Sequence, residues 1–105
     1  MTPRFHPAAR RELAAAMSVG EERAVGLGRE LLTEVRRVLE LLCDTPHIGQ
    51  PLDQDIRRFP LTRFPFAVIY RLKGDTLRVV GFAHRRQRPG FWLGRSDARE
   101  PDARR

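Results

Sequence analysis

The sequence predicts an α+β fold in which an N-terminal helical hairpin packs on one face of a small, mainly antiparallel twisted sheet. Three observations carry this reading. Apolar residues in the first half recur at three- and four-residue spacing, the later run FPFAVIYRL is apolar on both alternating faces, and the two halves differ sharply in charge. A chain of 105 residues supports one core, so residues 1–95 read as a single domain and SDAREPDARR, 96–105, as a disordered polar tail.

Arg4-Phe5-His6 is a short extended segment, and Pro7 suits the first turn of a helix, where its missing N–H costs nothing. Residues 7–17 are strong helix formers, and Ser18-Val19-Gly20 is expected to break them. A second helix is expected over 21–43, with Glu21 and Glu22 at the positive end of its dipole and Ala24, Leu27, Leu31, Val35, Val38 and Leu42 forming its buried face. Gly26 and Gly28 weaken its first turns, and either admit a neighbouring backbone or mark a frayed start. Asp44-Thr45-Pro46 ends the helix, and HIGQPLDQD reads as loop.

Strands are expected over 56–60, 64–72 and 76–84, the last two joined by a Lys73-Gly74-Asp75 turn. Tyr70 lies on the central strand and reads as core, and Arg57-Arg58 reads as a charge pair on an edge strand. Alternation along the last strand sends Leu77, Val79, Gly81 and Ala83 under the helices and Arg78, Val80, Phe82 and His84 to the opposite face, with Arg86 continuing that set.

The formal net charge is +7, and it is segregated. Residues 1–56 hold seven arginines against nine carboxylates, whereas 57–95 hold ten Lys and Arg against Asp75 alone. Such a field attracts an anionic partner. No apolar run approaches the ~20 residues that span a bilayer, and MTPRFHPAARREL lacks the apolar centre of a secretory leader, so a cytoplasmic chain with no membrane partner is expected. Cys43 is the sole cysteine, and with His6 and His47 it makes no metal-ligand spacing, so neither a metal nor another cofactor is expected.

The stretch GFAHRRQRPGFW, 81–92, carries the functional signal. An apolar strand that ends in a histidine, three arginines, a Pro-Gly turn and two aromatics suits a contact surface. Its expected contact residues are Arg78, His84, Arg85, Arg86, Arg88, Phe91, Trp92 and Arg95, with Phe91 and Trp92 as exposed aromatics oriented by Pro89-Gly90. Packing against the N-terminal strand or first helix accounts for Trp92 equally well, and a salt bridge to the helical half accounts equally well for Arg63.

Four stretches, FHPAARREL, GLGRELLTEV, RFPFAVIYRL and AHRRQRPGFWLGR, together with the spacing of the last two, give the chain a family likeness. Over residues 4–95 it resembles the RelE/ParE superfamily of toxins from type II toxin-antitoxin modules, and within it the ParE-like, plasmid-stabilisation branch. The resemblance implies a cognate antitoxin whose acidic amphipathic C-terminal segment wraps the toxin, and contact with operator DNA only through that antitoxin. RelE-like members cut mRNA on the ribosome, a role that would fall here to Arg63, His84 and Arg86. That branch has a tyrosine six positions after the basic residue at the strand end, where this chain has Trp92, whose indole N–H is no general base near neutral pH. ParE-like members poison DNA gyrase by binding it and need no catalytic residues. The departure at Trp92 favours a gyrase poison, with a ribosome-dependent mRNA endoribonuclease or an inactive member that only binds its antitoxin as the alternatives.

Overall fold

The computed structural model describes every residue except Gln54, Pro89, Gly94 and 96–105, so the expected disordered tail lies outside the described residues. Strand β1 (Thr2–Phe5) leads straight into α1 (Pro7–Arg23), which turns back into α2 (Leu27–Asp44). A two-residue strand β2 (Gln50–Pro51), β3 (Ile56–Pro60), β4 (Phe66–Lys73) and β5 (Thr76–His84) follow. The sheet is mixed and open, in the order β1-β5-β4-β3-β2, with β1 parallel to β5 and the other pairs antiparallel. The α+β expectation holds, with two additions: the extended N-terminus is a sheet strand, and part of the expected 47–55 loop pairs with β3. Arg57-Arg58 is therefore not on an uncovered edge, and Arg57 reaches past β2 to donate to the carbonyls of His47 and Gly49.

The first helix runs through the expected break at Ser18-Val19-Gly20. A single glycine costs only ~1 kcal/mol, and Gly20 faces α2, where Leu27 and the Gly28 nitrogen lie 3.6 Å from the place a Cβ would take. The chain turns instead at Gly26, whose φ of 88° needs glycine. A side chain at Gly28 would sit 2.6 Å from the Met17 carbonyl oxygen, so this glycine admits the neighbouring backbone. Glu21 lies on α1, not α2, yet serves the dipole it was expected to serve: its carboxylate accepts the N–H groups of Gly26 at 2.8 Å and Gly28 at 3.1 Å, and these bonds lower its pKa. At the other end of α1, His6 Nδ1 accepts the Ala8 N–H at 3.0 Å and caps the helix.

Beneath the helices lie Leu13, Leu31, Val35, Val38 and Leu42, packed on Val68, Tyr70, Leu77, Val79 and Phe82 of the sheet. Two polar groups enter this layer, and each holds a loop. Tyr70, fully buried, donates its hydroxyl to the Pro46 carbonyl at 2.7 Å and accepts the Gly49 N–H at 3.0 Å. Glu34 occupies the apolar face of α2, three residues after Leu31 and four before Val38, and accepts the N–H groups of Thr62 at 2.6 Å and Arg63 at 3.3 Å. It ties the β3–β4 connection to the helix.

One irregularity controls which face later residues take. Pairing of β4 with β5 shifts by one residue between Ile69, opposite Gly81, and Tyr70, opposite Val79, which leaves Val80 as an extra residue. Leu77 and Val79 lie under the helices as expected, but beyond Val80 the alternation inverts. Phe82 joins the helix-side core, while Ala83 packs with Val80, Ile69 and Ile56 on the opposite, open face. The expected placement of Gly81 and Ala83 under the helices, and of Phe82 and His84 away from them, is thus reversed by the bulge.

Two stability predictions follow from these contacts. Tyr70→Phe strands the Gly49 N–H and the Pro46 carbonyl, and is expected to cost about 1–3 kcal/mol in urea unfolding. His6 has its pKa lowered first by burial and then by Arg95, Arg78 and Arg11, with Glu12 opposing. The neutral ring that caps α1 contributes fully above the ordinary value of 6.5 and is lost as the pH falls through the lower folded value. Relative to His6→Asn, which keeps an acceptor that does not titrate, the native protein is expected to lose melting temperature as buffer pH is stepped below 6.5.

Candidate functional site

The upper half of β5 poses a pairing problem. β1 accompanies it only from Thr76 to Val79, because the chain leaves the sheet at His6 to start α1. Above that point the outer edge of β5 presents the Val80 carbonyl and the Phe82 N–H with no strand beside them. Side chains take the place of a strand. Glu12, reaching from α1, accepts the Phe82 N–H on Oε1 at 3.0 Å, and Arg95 donates through Nη1 to the Val80 carbonyl at 3.0 Å. The two then lock to each other in a two-pronged pair, Nη1 to Oε1 at 3.0 Å and Nη2 to Oε2 at 2.8 Å.

This latch fixes the segment that ends in Arg95. Phe91 lies over Gly81, where a Cβ would come within 3.1 Å of its ring, and Trp92 is buried against Ile56, Ile69, Val80 and Ala83 on the open face. The two rings meet edge to face at 4.9 Å, and the Arg95 guanidinium sits 4.9 Å over the Phe91 ring. Of the two accounts left open for Trp92, packing holds, although against the sheet's open face and not the N-terminal strand or first helix: it is only 7% exposed, and Phe91, expected to be exposed, is half-buried. Arg95, expected on the contact rim, is committed to the latch.

His84 stands at the top of the strand, half-buried, with its ring edge-on to Phe66 at 5.4 Å; Phe66 in turn stacks on Phe82. Its Nδ1 accepts the Arg86 N–H at 3.1 Å and its carbonyl accepts the Gln87 N–H at 2.8 Å. Arg85 donates its N–H to the Pro65 carbonyl at 2.8 Å. Three backbone groups of the turn are thereby pinned, while the side chains of Arg85, Arg86 and Arg88 are exposed and form no ion pair among the described residues. Arg78 lies six residues before His84, about 20 Å along the strand, on the open face and away from this turn.

Arg63 is held on the helix side, paired with Glu30 at 2.9 Å and placed 5.3 Å from the Phe64 ring. It lines one groove of about 400 Å³ with Arg58, Thr62, Phe64, Pro65 and Arg85. The structure therefore brings Arg63 near Arg85, and places His84, Arg85, Arg86 and Arg88 together. No group of three or more His, Cys, Asp or Glu that could hold a metal occurs among the described residues. Glu12 and Glu34 were missed as organising residues, although each interrupts the apolar face of its helix, and that interruption is the sequence signal of a carboxylate with a fixed partner.

A family model described as "ParE toxin of type II toxin-antitoxin system, parDE" matches residues 4–89. Seven chains of solved structures match as well. One, described as the chromosomal ParDE TA system from P. aeruginosa, is 19% identical, with a TM-score of 0.60, over 80% of this chain and 95% of that one; it bears on the fold alone. No curated protein matches.

The latch gives a direct prediction. Glu12→Gln loses the charge that holds Arg95 and weakens the cover over the β5 edge. Emission of Trp92, the sole tryptophan, is expected to shift to the red under native conditions as its segment loosens, and urea unfolding to show a loss of about 2 kcal/mol.

Proposed function

Because the chain belongs to the ParE toxin family of type II toxin-antitoxin systems, we propose that it is a cytoplasmic toxin that inhibits DNA gyrase by binding it and is neutralised by a cognate antitoxin. The observation that carries this reading is the exit turn. Arg85, Arg86 and Arg88 project from a backbone held by His84 and Pro65, so the turn that carries the guanidinium groups is already ordered and binding has only their side-chain freedom left to remove.

The same turn is poorly furnished for acid-base chemistry. His84 Nδ1 is engaged by the Arg86 N–H, the sole tyrosine is fully buried with its hydroxyl committed to the 46–49 loop, and Arg63 is held by Glu30. A surface that binds needs none of these groups to react.

Gyrase supercoiling in the presence of the purified chain tests the proposal, with antitoxin added back to restore activity. Arg85→Ala/Arg86→Ala is expected to raise the inhibitory concentration by roughly tenfold or more, as loss of interface arginines does. His84→Ala, which only loosens the turn, is expected to change it by less than tenfold. An inert folded chain in this assay, together with mRNA cleavage on translating ribosomes that His84→Ala lowers by ~100-fold or more, would instead establish the endoribonuclease.

A further inference from the structure

The layer between helices and sheet is left open where the tip of the helical hairpin meets the start of β4, and a slot of about 150 Å³ lies there. α1 gives its wall two small residues, Ala16 and Gly20, beside Val19, which is 50% exposed. Leu27 and Leu31 of α2 form a second wall, and Phe64 and Phe66 a third. Phe66 is held from behind by its stack on Phe82. Two polar side chains complete the lining, and no carboxylate does. Arg23, in the last turn of α1, is exposed and makes no ion pair among the described residues. His84 accepts the Arg86 N–H on Nδ1, so the neutral ring carries its proton on Nε2 and has that N–H left to donate.

We propose that this slot is a binding site for a small aromatic carboxylate, its single ring seated among Leu27, Leu31 and Phe66 and its charge beside Arg23. Size argues for one ring: an engineered apolar cavity of about 150 Å³ stays dry and takes up benzene. Aromatic walls argue for a ring over an aliphatic chain, because Phe64 and Phe66 offer edge-to-face contact that a chain cannot use. The lining argues for an anion, since its polar groups are both donors and no carboxylate opposes them. A docked helix would need a series of anchor positions along a groove, whereas this volume ends after one ring. Nor does the chain supply an occupant from its own end, because SDAREPDARR contains no apolar side chain larger than proline. The site is distinct from the displayed arginines of the exit turn, and it does not depend on gyrase being the target.

Titration of benzoate into the full, methyl-labelled chain, followed by NMR, tests it. Saturable shifts of the Leu27 and Leu31 methyls are expected, with a Kd on the order of 1 mM and cross-relaxation from the benzoate ring protons to these methyls. Acetate, which has the charge without the ring, is expected to leave them unmoved. Arg23→Ala is expected to weaken benzoate roughly fivefold, the upper end for an exposed ion pair, and to leave benzyl alcohol, the uncharged counterpart, unchanged. Arg23 is exposed, so its alanine variant stays folded. Failure to saturate at about tenfold higher benzoate, ring contacts elsewhere on the protein, or an equal loss of benzoate and benzyl alcohol in Arg23→Ala would each overturn the proposal. So would tighter binding of hexanoate, which would make the slot a site for a chain and not for a ring.

Discussion

Much of this structure depends on one mismatch of lengths: β5 runs to His84, but its partner β1 stops at Phe5 because the chain must turn into α1. An edge left bare would hold unsatisfied backbone groups and would invite pairing with another chain. The Glu12–Arg95 pair satisfies those groups, and in doing so it dictates where the chain goes after the exit turn. Arg95 reaches the Val80 carbonyl on the β5 edge, and Phe91 and Trp92 lie on the open face beside it. The carboxylate and guanidinium have 19–23% of their side-chain surface exposed, dry enough for the pair to hold and wet enough that neither ion carries the full penalty of burial.

The bulge at Val80 works with this arrangement. With an unbroken two-residue period, Phe82 would face away from the helices and leave a gap beneath them. The extra residue turns Phe82 into the helix-side core and carries His84 over Phe66, where it can organise the turn that follows. It also brings Val80 and Gly81 to the open face, where Gly81 leaves room for the Phe91 ring. The composition of GFAHRRQRPGFW thus has a divided explanation: its aromatics anchor the segment from behind, and its three arginines are what the turn displays.

The elements themselves were legible in the sequence, since the periodicities of α2, β3, β4 and β5 are strong; the strand bounds fall close to the expected ones, whereas α2 starts at Leu27 and not at Glu21, and Ala24, expected on its buried face, is the exposed C-cap of α1. The inverted faces of Phe82 and Ala83 were not, because alternation reads identically on both sides of a bulge and only the partner strand's register reveals the extra residue. The length of α1 was misjudged at Gly20, where the glycine answers to the packing of α2 and not to the backbone's own preference. At the site, the charge cluster was visible as composition, yet the commitment of Arg95 was not, since Glu12 lies 83 residues away. Even so, a glutamate on the apolar face of a helix is a sign that some distant donor awaits it, and Glu12 and Glu34 both carried that sign.

The distribution of carboxylates separates structural arginines from displayed ones. Glu12 holds Arg95 and Asp55 holds Arg71, each on a side chain about one-fifth exposed. Glu30 holds the more exposed Arg63, a surface pair of small energetic weight. Arg4, Arg85, Arg86 and Arg88 are exposed without such a partner among the described residues. In the Arg95 and Arg71 pairs a carboxylate accompanies a guanidinium group that has lost most of its water, while half-buried Arg57 is satisfied by the carbonyls of His47 and Gly49 instead. Exposed arginines are under no such constraint and keep their hydration until a partner removes it. Their mutual repulsion in the isolated chain is relieved when an anion arrives, so the charge that lowers stability before binding favours the complex afterwards. The basic half of the sequence is therefore divided between arginines that hold the sheet together and arginines that the exit turn displays.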